Sequence, residues 1–312
     1  MYTVDRRLLI KISEMYYLEN KNQNEIAEQF GLNRITVGKY LKKALAEGLV
    51  KISIANDSYG VLEKALEKKY GLKEVYIVSF ASELGYAGLQ YIQRIYSQDD
   101  VLGISWGRTL GAVAQAATLE RCNPVQADIL PLGGSLENVN DEYHVNTIIY
   151  KMATAFKARS HYLYAPFFTS SAEAKAVFMQ DSNCRRIAAL WERLTIAVIG
   201  IGSPASSSNW IWSGYFGNEY MELLQQAGGV GDICSRYYDL SGKRIDEALE
   251  DRTIAIDINL LKQVRHSIGV AASPAKVEAI YGAIQGQYIN VLITDEQTAQ
   301  LLLEFKPPQG DG

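Results

Sequence analysis

The sequence predicts an α/β protein of two domains: an N-terminal helical helix-turn-helix domain and a larger, doubly wound α/β domain. Three observations carry that reading. The stretch from Gln23 to Lys42 places apolar residues at helical spacing on both sides of a central Gly31. From Glu74 onward, short apolar runs alternate with amphipathic helical stretches, the pattern of a parallel sheet covered on both faces. Charge is also unevenly divided. Residues 1–55 hold nine Lys or Arg against six Asp or Glu, while the whole 312-residue chain stands at −4. A small basic module therefore precedes a larger acidic one, as expected where the first part touches a polyanion. The polar, turn-forming stretch from Asn56 to Gly60 sets the domains at 1–55 and 56–312.

Taken in order, residues 3–19 carry Leu8, Leu9, Ile12, Met15 and Tyr16 at helical spacing and form a first helix. In the second, Ile26, Ala27 and Phe30 make the apolar face, and small Ala27 permits close helix approach. Gly31 supplies a left-handed turn that a residue without Cβ adopts at low cost. Leu32 fills the corner, Asn33 caps the third helix, and Val37, Tyr40 and Leu41 face inward. Asn33, Arg34, Thr36, Lys39 and Lys43 are left pointing outward. Arg and Lys engage phosphates or guanine edges, and Asn and Thr are adaptable base-edge partners, so this is the set a major-groove reader needs. A solvated helical hairpin is the plainer alternative, but it does not require small residues, apolar spacing and a basic face to coincide. Double-stranded DNA is the partner expected of this face. Leu49 to Ile54 then alternates as a short strand.

Val61 to Tyr70 reads as a charged amphipathic helix ended by Gly71. Strands are expected at Val75–Val78, Val101–Ser105, Asp128–Leu132, His161–Ala165, Thr195–Ile201, Ile254–Asp257, Ser267–Ala271 and Ile289–Thr294. Helices are expected over Ala87–Tyr96, Thr109–Leu119, Val145–Ala158, from Ala172, and over Pro274–Gln285. The N-terminal MYTVDRRLLIKISEMYY has charges among its apolar residues, which excludes a signal peptide, and no run reaches the ~18 apolar residues of a membrane span. A cytoplasmic protein without membrane contact is expected. Cys122, Cys184 and Cys234 are far apart, and with three His in the chain they offer no metal-ligand spacing. Reduced, buried thiols and no metal or cofactor are expected.

Ligands of doubly wound sheets bind outside the carboxyl ends of the strands. One such end carries Ser105, Trp106, Gly107, Arg108 and Thr109 directly before a helix, so backbone N–H groups, hydroxyls and a guanidinium converge where an anion, phosphate above all, can sit. A capping turn with Thr109 as cap and Arg108 in solvent is the plainer reading, and the Gly and Arg exceed its needs. A second end repeats the theme with Ser273, Pro274 at a first helical turn and Lys276 one turn in. GIGSP brings Gly200, Gly202 and Ser203, and LPLGGS brings Gly133 and Gly134. Four small-residue strand ends argue for a pocket that admits close backbone approach.

SWGRT, Ala165-Pro166, GIGSP, GDICSRYYD and the closing NVLITDEQTAQLLL together resemble the effector domain of the SorC family of bacterial sugar-responsive transcription regulators. The resemblance spans nearly the whole chain, helix-turn-helix included, and YHVNT with GDICSRYYD resembles the branch that includes the L-sorbose operon regulator. It implies an effector domain related to the sugar-phosphate isomerase and glucosamine-phosphate deaminase fold, stripped of catalysis and used as a sensor, in a tetramer. It implies a phosphorylated sugar or polyol as effector. By position, Ser105, Gly107, Arg108 and Thr109 match the family's effector loop, Lys276 its phosphate-facing lysine, and Gly202 and Asp232 pocket-lining positions. Two departures stand out. The last motif commonly has two glycines where this chain has Ala272-Ser273, and Gly38 replaces a frequent Ser at roughly 1 kcal/mol of helix propensity, leaving room for close approach to DNA.

The rival function is an active sugar-phosphate isomerase, deaminase or aldolase-like enzyme with an appended helix-turn-helix. That chemistry needs a placed base or an amine of lowered pKa, for which Asp232, Asp239, His144 and Lys276 are candidates. They form no recognisable catalytic constellation, and no catalytic residue is assigned. A Schiff base at a lysine stays open. His144 admits both a sugar-hydroxyl contact and a structural cap, and Trp210 and Trp212 both a pocket lid and a subunit contact.

Overall fold

The computed structural model describes residues 5–50, 59–137, 139–203, 222, 224, 226–245 and 247–308. Residues 51–54 of the expected N-terminal strand, most of the expected boundary stretch, and Trp210 and Trp212 lie outside the described residues. The chain divides into two compact units, residues 1–57 and 58–312.

Among the described residues, the first unit is three helices, α1 (Arg6–Tyr17), α2 (Gln23–Phe30) and α3 (Arg34–Ala46). Local chemistry sets each end. Asn22 accepts from the N–H groups of Asn24 and Glu25 at 2.9 and 3.1 Å, and the Glu25 carboxylate accepts from the Asn22 N–H at 2.8 Å, a reciprocal cap on α2. Gly31 ends α2 at φ +63, and Asn33 Oδ1 accepts from Thr36 N–H at 2.8 Å to start α3. Ile12, Met15, Ile26, Ala27, Val37 and Leu41 form the buried core, with Phe30, Leu32 and Tyr40 packed against it.

The second unit is built on a seven-stranded, all-parallel sheet: β1 (Glu74–Val78), β2 (Val101–Ile104), β3 (Asp128–Pro131), β4 (Arg159–Ser160), β5 (Ile196–Gly200), β8 (His266–Val270) and β9 (Val291–Asp295). Spatial order is β1-β9-β8-β5-β2-β3-β4. From β2 the chain steps outward to β3 and β4, then returns to the other side of β2 for β5, β8 and β9. Strand order therefore reverses between β2 and β5, and the crevice at a reversal is where such sheets take ligands.

Both sheet faces are covered, which explains the unbroken apolar strands. Ile196 and Val198 point into one core with α5 (Leu84–Ile95), α6 (Arg108–Leu119) and α7 (Val145–Phe156). Ala197 and Ile199 point into the other, where α4 (Gly60–Tyr70), α9 (Ser182–Trp191), α10 (Val277–Gln285) and α11 (Glu296–Glu304) pack. Helix α8 (Ala172–Gln180) precedes α9, and a single helical turn lies at Glu247–Glu250. All three cysteines are free and buried.

Two local expectations change, and one motif gains a structure. The strand placed at His161–Ala165 is instead the two-residue β4, because side chains satisfy the following backbone: Asn183 accepts from Tyr164 N–H at 3.0 Å and donates to Tyr162 O at 2.8 Å. Ile254–Asp257 is no ladder strand. It crosses the carboxyl end of the sheet, with Ile254 N–H on Phe167 O and Ile256 N–H on Leu132 O, both at 2.8 Å. GDICSRYYD folds as an antiparallel hairpin, β6 (Gly229–Ile233) with β7 (Arg236–Asp239).

Candidate functional site

The loops leaving β2 and β5 are fixed by main-chain and serine bonds at the strand reversal. Buried Ser105 donates its N–H to Val198 O at 3.0 Å, and its Oγ accepts from Gly200 N–H at 3.2 Å, tying the two strand ends together. Gly107 then turns with φ +117, a conformation that favours glycine, and occupies the cap position of α6 without a side-chain cap. Its N–H donates to Tyr143 O at 3.3 Å. Arg108, exposed, and Thr109, half-buried, begin the helix, so Thr109 is not its cap. The first turn of α6 leaves its peptide dipoles directed at the carboxyl edge of the sheet, a favourable place for an anion.

Lys276 reaches the same edge from the turn after β8. Ser273 holds φ +150, donates its N–H to Thr298 Oγ1 at 2.9 Å and accepts at Oγ from Ala275 N–H at 3.3 Å. A single 3-10 turn over Pro274–Lys276 follows, and α10 begins beyond it. The Lys276 amine donates to Ile201 O at 2.8 Å. Burial pushes this amine below the usual lysine range; the Asp232 charge opposes that and the Arg108 charge adds to it.

Asp232 enters from the hairpin. Its main chain exchanges two hydrogen bonds with Gly202, at 2.9 and 3.1 Å, and its carboxylate accepts from Ser235 N–H at 3.3 Å. The hairpin turn uses Cys234 and Ser235 at φ +49 and +59, both left-handed, as a two-residue hairpin turn with the right strand twist requires. Burial pushes the Asp232 carboxyl up to about 6, with the Ser235 N–H and Lys276 amine pulling it back.

Ser105, Gly107, Arg108, Thr109, Gly202, Asp232, Ser273 and Lys276 are therefore brought to one edge of the sheet. Gly133 and Gly134 have a different use. A Cβ on Gly133 would stand 2.5 Å from the Phe167 ring, and one on Gly134 would stand 2.4 Å from the Pro166 carbonyl oxygen. The close approach they permit is by this chain's own Pro166-Phe167 segment. Trp106 meets Phe167 edge-on, ring centroids 6.1 Å apart, and shares a hollow with Gly134, Leu136, Val139, Tyr143, His144 and Val145. His144 precedes α7 without capping it through its side chain. Ile201, whose carbonyl holds Lys276, and Ser235, whose N–H holds Asp232, were not among the residues singled out from sequence. A main-chain carbonyl leaves no sequence signal, whereas Asp three residues before a serine in a tight turn is a readable one.

On the first unit, Asn33, Arg34 and Lys39 are exposed and Thr36 and Lys43 half-buried. Thr36 Oγ1 donates to Asn33 Oδ1 at 2.8 Å, so these two side chains serve the cap, and Lys43 pairs with Glu47 at 3.6 Å. Gln23 Oε1 lies 3.4 Å from where a Gly38 Cβ would stand, so the chain itself fills that space. Lys42, not in the predicted set, is exposed beside Lys39.

A family model for a sugar-binding domain matches residues 58–304. The chain is 34% identical to the sorbitol operon regulator of Klebsiella pneumoniae, with 96% of this chain and 98% of that one covered. It is 33% identical to the deoxyribonucleoside regulator of Bacillus subtilis (strain 168), covering 96% and 97%. Among solved structures, the full-length sorbitol operon regulator SorC from Klebsiella pneumoniae superposes with a TM-score of 0.76 at 34% identity, covering 95% of this chain and 98% of that one. Agreement of sequence and fold over both units leaves one assignment: the chain belongs to the SorC family of sugar-responsive transcription regulators.

Proposed function

We propose that the chain is a DNA-binding regulator of a carbohydrate-utilisation operon, of sorbose or sorbitol type, controlled by a phosphorylated sugar or polyol bound at the strand reversal of the second unit. The observation that carries it is the meeting at the strand reversal of the start of α6, which has no side-chain cap, with the Lys276 amine held on the Ile201 carbonyl at 2.8 Å. Lys276, Arg108 and that helix N-terminus hold a phosphate; Asp232 beside them accepts from sugar hydroxyls. The relatives named for sorbitol, deoxyribonucleosides and erythritol support a carbohydrate-derived effector.

In this reading residues 1–55 bind operator DNA through Asn33, Arg34, Thr36, Lys39 and Lys43, and residues 56–312 sense the effector and assemble a cytoplasmic homotetramer. The effector acts by favouring one quaternary arrangement, since equal binding to two arrangements shifts neither. Regulator relatives support sensing over catalysis.

A thermal-shift screen against free and phosphorylated hexoses, ketoses and hexitols tests the site, because ligands of the native state raise its melting temperature by mass action. A shift with a phosphorylated ketose or hexitol is expected. Shifts with free sugars alone would keep the regulator and remove the phosphate assignment of Arg108, Thr109 and Lys276. Borohydride trapping with mass measurement addresses the rival: an unmodified protein is expected.

A further inference from the structure

Ile35, the second residue of α3, leaves 72% of its surface exposed. Core packing does not explain it, because Val37, Leu41 and Ala44 are the buried residues of α3. Helix propensity does not explain it either, since a β-branched residue is a weaker helix former than the polar residues that suit an exposed position. Single exposed apolar residues are ordinary on protein surfaces. This one stands at the start of the helix whose first residues reach base edges in a helix-turn-helix.

Its neighbours narrow the reading. The Asn33 Oδ1 accepts from both the N–H and the hydroxyl of Thr36, so the cap uses that oxygen and that hydroxyl proton and leaves the Asn33 amide N–H groups for the groove. The first turn of α3 also exposes Arg34 and the branched side chain of Ile35. Ile35 also lines a groove with Tyr16, Tyr17 and Leu45, where the exposed Lys39 and Lys42 add positive charge that suits a polyanion. Of the features displayed in a major groove, the C5-methyl of thymine is the one an aliphatic side chain reads.

We propose that Ile35 contacts a thymine methyl group in each operator half-site, with Arg34, Lys39 and Lys42 on the flanking phosphates or guanine edges. This rests on the DNA-binding reading of the first unit.

The test starts from duplexes recovered by in vitro selection on the full-length protein, with and without the ligand found by thermal shift. Each thymine of the recovered sequence is then replaced by uracil, which removes the methyl alone. One position per half-site should weaken wild-type binding about three- to ten-fold. Ile35→Ala should lose a similar factor on the thymine duplex and respond no further to uracil, while Ile35→Val retains most of the sensitivity. An unchanged melting temperature checks that Ile35→Ala is folded. Uracil without effect at every position, or equal sensitivity in Ile35→Ala, would overturn the assignment with DNA binding intact. Selection that recovers no sequence preference would instead remove the operator reading, and this contact with it.

Discussion

The Lys276 amine donates to the main-chain carbonyl of Ile201 across 2.8 Å, joining the loop after β8 to the loop after β5. An ammonium has three N–H donors, and this bond uses one, aiming the group while leaving donors for a ligand. Lys276→Ala should therefore weaken phosphorylated ligands by about ten- to hundred-fold, the worth of a charge-assisted bond, and free sugars far less. Calorimetric titration of matched free and phosphorylated sugars measures the ratio; equal weakening would remove the phosphate role.

Asp232 has a pH signature. Its carboxyl is pushed up to about 6 by burial, above its value in the unfolded chain, so the folded state binds the extra proton. That contribution leaves the fold unpenalised below about pH 4 and costs stability as pH rises through about 6. Asp232→Asn should raise stability by roughly 1–3 kcal/mol at pH 7.5 and change it little at pH 4. Urea denaturation at the two pH values checks this.

Ser273 occupies φ +150, where a Cβ is strained. Ser273→Gly should raise the stability of the second unit by about 1 kcal/mol, net of its lost cap on Ala275. A lowered melting temperature would show that the cap outweighs the strain.

Gly134 tolerates no side chain, given the Pro166 carbonyl oxygen 2.4 Å from the position a Cβ would take. Gly134→Ala should cost about 3 kcal/mol or more through forced backbone displacement. Gly200→Ala, whose Cβ would approach Trp106 O at 4.0 Å, is the control and should be far milder. Melting temperatures of the pair decide it.

Arg34 is exposed at the first position of α3 and carries no core contact. Arg34→Ala should abolish specific operator binding and leave ligand-induced thermal shifts unchanged. A retained footprint on the operator would displace α3 as the reading helix.

The helix-turn-helix was legible because its information is local. Gly31 needs its left-handed turn, Asn33 its cap, and Ile26, Ala27, Val37 and Leu41 their 3.6-residue period, all within one short stretch. The α/β sheet was legible for the same reason: strands buried on both faces, such as Ile196–Gly200, are continuous apolar runs. Strand order was not written locally. That β5 lies beside β2 and β8, placing Ser105 against Gly200 and Lys276 against Ile201, depends on contacts between residues far apart in the chain. Glycines at strand ends look alike in sequence, yet Gly107 makes a turn that opens a helix start while Gly134 admits Pro166. The sequence by itself determined which residues could serve, through period, turn chemistry and charge. The tertiary structure decided which of them meet, because burial and hydrogen bonding across the strand reversal set the partners of Ser105, Asp232 and Lys276.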